Sequence, residues 1–229
     1  MSKLYVVATP IGNLQDITLR ALEVLSACDV IAAEDTRVTK KLLSHFHISK
    51  PIISFHQHSP RRAALRITQL LRDGKNIALV TDAGTPGISD PGQRLIKEVA
   101  AAGFTTGIVS IPGPSALSAT ISVSDIDLDQ FMFLGFPPHK KRRTKFFHQA
   151  AQSPIPVILF ESPHRIHRTL NDAVCLMGDR YCNIGRELTK IYEEVFRGTL
   201  SEARTYFERS KTRGEFVVIV DKFISQRHE

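Results

Sequence analysis

N-I-A-L-V-T-D-A-G-T-P-G-I-S-D-P-G, residues 76–92, decides the fold. Residues 77–81 have the character of a buried strand. Gly84, Pro86, Gly87, Pro91 and Gly92 then forbid any regular element, and a helical pattern resumes at Arg94. Proline pins φ and glycine supplies angles closed to other residues, so this density predicts a fixed loop. Strand-to-helix connections usually take about 2–6 residues, and longer ones are commonly functional. In parallel α/β sheets ligands bind outside the carboxyl ends of the strands, where this loop sits. The stretch therefore predicts one wall of a small-molecule cleft, with an ordinary long connection as the alternative.

Working outward, strands are expected at 4–8, 30–33, 51–55 and 106–111. Helices are expected between them: one capped by Asp16 and running to Cys28 on Ile17, Leu22 and Leu25, one carrying Leu42, Leu43 and Phe46, one over 61–71 and one to Ala102. Five strands alternating with helices predict a parallel sheet covered on both faces. Pro112-Gly113-Pro114-Ser115-Ala116 leads into a small-residue helix, and the first domain is expected to span 1–122. The second, 123–229, should hold strands at 131–135, 157–160, 182–186, 193–197 and 215–221. Its helices should follow His139 and Pro163 and cover 202–210. The halves abut without an evident linker, so a cleft between them is expected.

Composition bounds the function. With 42% hydrophobic and 23% charged residues the chain reads as a globular protein. No apolar run approaches a membrane span and the N-terminus lacks a signal-peptide pattern, so a cytoplasmic protein with no membrane partner is expected. Cys28, Cys175 and Cys182 show no C-x-x-C spacing, which suggests neither a disulfide framework nor a zinc site. His56 and His58 could share a face, but no third ligand at a recognisable spacing accompanies them, and no metal is expected. The net charge of +7 suits a polyanionic partner. Much of the excess lies in one segment, where Lys140, Lys141, Arg142, Arg143, Lys145, Arg165 and Arg168 face a single acid, Glu161. Neither a G-x-x-x-x-G-K-[ST] loop nor a G-x-G-x-x-G after the first strand is present, which argues against a nucleoside triphosphatase or a dinucleotide dehydrogenase.

Several short motifs occur in order along nearly the whole chain: Val7-Ala8-Thr9-Pro10-Ile11-Gly12-Asn13-Leu14, Ala33-Glu34-Asp35-Thr36-Arg37, Thr81-Asp82-Ala83-Gly84-Thr85-Pro86-Gly87-Ile88-Ser89-Asp90-Pro91-Gly92, Pro112-Gly113-Pro114-Ser115-Ala116, Glu161-Ser162-Pro163-His164-Arg165 and Arg186-Glu187-Leu188-Thr189-Lys190. Together they resemble the tetrapyrrole methylase-like S-adenosylmethionine-dependent methyltransferases, and among these the branch that modifies ribosomal RNA. The resemblance implies a two-domain α/β fold, a parallel-sheet N-terminal domain plus a mixed-sheet C-terminal domain, with S-adenosylmethionine folded into the cleft between them, and a homodimer. It implies cofactor contacts at Pro10, Asp82, Ala83, Gly84, Gly87, Ser115 and Ala116, and at Glu161 and Leu188 with Phe160 beside them. The implied reaction is transfer of a methyl group to the ribose 2′-hydroxyl of a cytidine in small-subunit ribosomal RNA.

Departures exist. Many relatives carry a glycine-rich first loop where Ala8-Thr9-Pro10 stands, and close relatives follow the histidine pair with Asn-Glu where this chain has Ser59-Pro60. They commonly continue into a small C-terminal helical domain beyond the position of Glu229.

The residues themselves add roles. A helix beginning at 114–115 would offer unpaired N–H groups to a carboxylate, and Asp82 could balance an amine or sulfonium charge or merely close its own turn. Glu34 and Asp35 are the favoured bases for a ribose hydroxyl, with His164 and Glu187 as other candidates; a capping role for Asp35 or Thr36 is equally open. Arg37, Lys140, Lys141, Arg142, Arg143, His164 and Arg165 suit substrate phosphates, although a charge run is often only a solvated face. A tetrapyrrole (precorrin-type) methyltransferase and a non-catalytic RNA-binding module are the alternatives.

Overall fold

Strand β4 (Ile77–Val80) is buried at every position and reads as an apolar run because helices cover both its faces. Around it lie β1 (Leu4–Val7), β2 (Val30–Ala33), β3 (Ile52–Ser54) and β5 (Ile108–Ile111) in the order β3-β2-β4-β1-β5. Every pairing in this sheet is parallel. The coordinates are a computed structural model that describes residues 2–57, 59, 61–208 and 213–222. His58, Pro60 and the last residues of the helix expected over 202–210 lie outside the described residues.

Period-two alternation sorts the strand side chains to two faces. Leu4, Ala32, Ile77 and Leu79 pack under α3 (Arg61–Arg72) and α4 (Gly92–Ala101). Val7, Ile31, Ala33, Ala78 and Val80 pack under α1 (Leu19–Ala27) and α2 (Thr36–His45). The cap of α1 is Thr18, whose side chain accepts the Ala21 N–H, and not Asp16, which closes a short 3-10 turn over Leu14–Asp16. Two cap-forming residues stand close together here, and the 3-10 turn shifts the true helix start past the first.

By contact density the chain divides into Met1–Ser115 and Ala116–Glu229. Helix α5 (Ala116–Ser122), read from the sequence as the end of the first domain, falls in the second unit because Ala116, Leu117 and Ile121 pack on that unit's sheet.

The second sheet contains β6 (Met132–Gly135), β7 (Val157–Glu161), β8 (Tyr181–Arg186), β9 (Glu194–Thr199) and β10 (Phe216–Val220), ordered β6-β7-β10-β8-β9. It is mixed: β6 and β7 run parallel and the remaining pairs are antiparallel. Helices α6 (Arg143–Ala151), α7 (Ile166–Met177) and α8 (Leu200–Glu208) cover one face over Leu159, Ile184, Phe216 and Val218. Helix α5, Ile126 and Leu128 cover the other over Ile158, Val217 and Ile219.

Candidate functional site

In the first unit the loops after β1, β2, β4 and β5 all leave the same edge, the carboxyl ends of parallel strands. Thr9 and Gly84 exchange main-chain hydrogen bonds of 2.9 and 3.0 Å, and the Thr9 hydroxyl reaches the Thr81 carbonyl at 3.3 Å. Gly84 occupies φ +82°, and a Cβ there would stand 3.3 Å from Cγ2 of Ile11. The glycine is therefore required by its own backbone, before any ligand is considered. Thr85 donates its hydroxyl to the Pro114 carbonyl at 3.0 Å, joining the β4 loop to the β5 loop. Asp90, a residue the sequence did not single out, fixes the far end of the loop: its carboxylate accepts the N–H groups of Gly87 and Gly92, each at 2.6 Å. The signal was legible as Ser-Asp-Pro-Gly, a sequence suited to a side-chain-closed turn.

Asp82 does not bond to its own loop. It accepts the Asp35 N–H at 2.8 Å, and Thr81 donates its hydroxyl to Glu34 Oε2 at 2.7 Å, so the loops after β2 and β4 are joined by two such bonds. Asp82 and Ala83 remain exposed above buried Thr81 and Gly84. Glu34, Asp35 and Asp82 gather three carboxylates here, against the one guanidinium of Arg37. Partial burial raises the Asp82 carboxyl above the ordinary carboxylate value, and the charges of Glu34 and Asp35 push it the same way. Asp35 is held ionised, at about 2, chiefly by the side chain of Arg37, which meets it through contacts of 2.6, 3.1 and 3.2 Å. Asp35 also caps α2 by accepting the Arg37 N–H at 2.8 Å. Pro10, Gly87 and Ser115 are half-buried at the same edge, and Gly87 holds φ +99°.

In the second unit the basic segment divides. Lys140, Lys141 and Arg142 are exposed and precede α6, with Arg142 in the left-handed region at φ +67°. Arg143 is only 4% exposed and cannot serve as a phosphate contact in this geometry. Its guanidinium meets Asp172 Oδ2 at 2.6 Å, Thr169 Oγ1 at 2.8 Å and the Pro138 carbonyl at 3.1 Å.

Glu161, expected at a cofactor position, is also closed off, with 0% of its side chain exposed. It accepts the Thr169 hydroxyl at 2.5 Å and the Ser162 N–H at 2.8 Å, and pairs with Arg165 at 3.3 Å. Arg165 also donates to the Pro137 carbonyl and lies 3.2 Å from His139 Nε2, while Arg168 donates to the His139 carbonyl at 3.1 Å. Arg165, a substrate candidate, and Arg168 therefore brace residues 137–139, which precede the exposed lysines.

His164 is exposed. Phe160 is half-buried, edge-on to Phe133 and Phe136. Leu188 is 8% exposed, in a β8–β9 loop where Glu187 and Thr189 both take positive φ. Burial raises Glu187, but the Lys190 ammonium at 2.6 Å and the Glu215 N–H outweigh it and hold the carboxyl below its usual value. Ala116 opens α5, which has seven residues.

Residues 3–204 match the family described as tetrapyrrole (corrin/porphyrin) methylases. The chain is 44% identical over 220 residues to Ribosomal RNA small subunit methyltransferase I of Thermotoga maritima, covering 96% of this chain and 98% of that one. Its identity to the protein of the same name from Synechocystis sp. is 46% over 222 residues, covering 96% and 79%. Two solved structures share the fold: diphthine synthase, with a TM-score of 0.73 at 15% identity over 96% of this chain and 90% of that one, and the methyltransferase CobJ, with 0.71 at 16% over 100% and 98%. With a match over residues 3–204 and relatives similar over nearly its full length, the chain belongs to the tetrapyrrole (corrin/porphyrin) methylase family.

Proposed function

We propose that this chain is an S-adenosylmethionine-dependent methyltransferase that acts on small-subunit ribosomal RNA, at the ribose 2′-hydroxyl of a cytidine, and works as a homodimer. The observation that carries the ribosomal RNA methyltransferase reading is 44% identity, over 96% of the chain, to Ribosomal RNA small subunit methyltransferase I of Thermotoga maritima; the cytidine 2′-hydroxyl and the homodimer follow from the motif resemblance. Among the described residues no helix is long and apolar enough to cross a membrane. A tetrapyrrole substrate is not favoured, since a cobalt precorrin-4 methyltransferase matches at only 15% identity.

The carboxyl edge of the first sheet fits the cofactor's chemistry. Its loops bury Ala8, Thr9 and Ile11 and leave Asp82 and Ala83 exposed, in a cluster with more carboxylates than cations. That suits a ligand carrying an ammonium and a sulfonium. Bound S-adenosylmethionine supplies an electrophilic methyl group, so the protein's task is alignment and charge placement. Pro10, Asp82, Ala83, Gly84, Gly87 and Ser115 hold the cofactor, Asp82 offering its carboxylate and the neighbouring residues their main-chain groups. The motif resemblance also implies cofactor positions at Ala116, Phe160 and Leu188. Glu34 takes the hydroxyl proton; Asp35, already neutralised by Arg37, is the weaker base. Lys140, Lys141 and Arg142 meet RNA phosphates, and exposed His164 is a further substrate position.

Calorimetry with S-adenosylmethionine, and methylation of naked RNA and assembled small subunits side by side with mapping of the modified position, test the reading. A chain that binds RNA but no S-adenosylmethionine would be a binding module instead.

A further inference from the structure

Helix α3 presents a second basic surface, which the proposed function does not use. Its buried positions are Ala64, Ile67, Thr68 and Leu71. At 100° per residue the remaining positions form one continuous arc that holds Arg61, Arg62, Leu65, Arg66, Gln69 and Arg72, all exposed. No acidic residue lies within the helix. The side chains of Arg61, Arg62, Arg66 and Arg72 form no ion pair or hydrogen bond with another described residue. The nearby acid at its C-terminal end, Asp73, accepts instead from Gln69 at 2.9 Å. The loop before the helix is pinned by Arg94, which donates to the Ser59 carbonyl at 2.9 Å.

We propose that this face is a second RNA contact of the enzyme, distinct from residues 140–142, and that the arginines track phosphates of the RNA outside the target nucleotide. The inference rests on the RNA-methylating reading above. Four unpartnered guanidiniums on one rigid face are complementary to a polyanion and unfavourable against a two-fold copy of themselves. Arg61 and Arg72 lie about 17 Å apart along the axis, a span longer than the gap between successive phosphates on one strand, so the face can meet several charges. The placement has direction: α3 begins just after the carboxyl end of β3, so Arg61 and Arg62 stand at the edge that carries Asp82 and Glu34, and Arg72 lies toward the opposite edge. RNA on this face would extend away from the reacting end.

The test is a triple variant, Arg62→Ala, Arg66→Ala and Arg72→Ala, with a matching triple lysine variant. Both are titrated with transcribed small-subunit ribosomal RNA across a salt series. Losing about three contacts should flatten the log–log salt slope by about 2 in the alanine variant, and the lysine variant should keep the wild-type slope. S-adenosylmethionine affinity, by calorimetry, should not move in either, which also shows that the variants are folded. A wild-type slope in the folded alanine variant overturns the proposal, as does a lysine variant as defective as the alanine one. Loss of binding to assembled subunits with naked RNA unaffected would assign the face to a protein partner and overturn it too. If wild-type protein itself shows no RNA binding or methylation, the functional reading fails first, and the two failures are thereby told apart.

Discussion

The carboxylate of Asp82 accepts the main-chain N–H of Asp35 at 2.8 Å, so the charge proposed to face the cofactor is also the tie between the loops after β2 and β4. The two roles pull against each other. The raised Asp82 carboxyl means that ionising it costs the folded state: its contribution to stability is full below the ordinary Asp value near 3.9 and is lost as pH rises through the higher folded value. Asp82→Asn keeps an acceptor for the Asp35 N–H without the charge. Its melting temperature at pH 7 should equal or exceed that of wild type, with the advantage vanishing toward pH 3, while S-adenosylmethionine affinity falls. A variant less stable than wild type at pH 7 would show that the charge is not a burden there.

Asp35 behaves oppositely. Its carboxyl is held down at about 2, so the stabilising effect of its pairing with Arg37 is present above about pH 4 and fades between there and 2. A base that weak is poorly matched to a ribose hydroxyl at neutral pH. Single-turnover methylation should stay within about threefold of wild type in Asp35→Asn and fall about 10²-fold or more in Glu34→Gln. Equal, small effects in both would leave alignment alone as the source of rate.

Gly84 is set by its backbone. Its φ of +82° and the 3.3 Å approach of Ile11 predict that any side chain there costs stability, whatever it does to cofactor binding. Gly84→Ala should cost about 1–2 kcal/mol in denaturant unfolding, and Gly84→Val more. An alanine variant with an unchanged midpoint would mean that the loop relaxes freely.

Arg143 and its basic neighbours should separate cleanly. Arg143→Ala strips partners from Asp172 and Thr169 and should cost about 3 kcal/mol. Arg143→Lys should rescue little, because one ammonium cannot meet three differently placed acceptors. Lys140→Ala, Lys141→Ala and Arg142→Ala together should change stability far less and flatten the salt slope for RNA by about 2. The reverse pattern, a stable Arg143→Ala that loses RNA, would return Arg143 to the interface.

Strands were legible because a sheet covered on both faces leaves apolar runs that punctuation residues bound. The stretch 30–33 coincides with β2, and Glu161 merely extends β7 beyond the residues read as strand. Side-chain direction was not legible in the basic segment. Nothing local distinguishes Arg143 from Arg142, since the inward pull on Arg143 comes from Asp172 and Thr169 in another helix. The same holds for Glu161, whose enclosure depends on Thr169 and Arg165 being brought over it by α7. In the β4 loop the Asx-turn role fell to Asp90 and not Asp82, a choice settled by the reach of Asp35 from the neighbouring strand.

The strand orders also set a timetable for synthesis on the ribosome. β1 emerges first, yet its partners are Ile77–Val80 and Ile108–Ile111, so the first sheet closes only after the fifth strand has been made. From then on every strand of that sheet is available and the unit can fold while the rest is translated. The second unit has no such head start, because its central strand, Phe216–Val220, is made last and joins β7 to β8. Until it arrives the β6–β7 pair and the β8–β9 hairpin have no strand between them, and a nascent chain stopped just short of β10 would carry one finished sheet and one split in two.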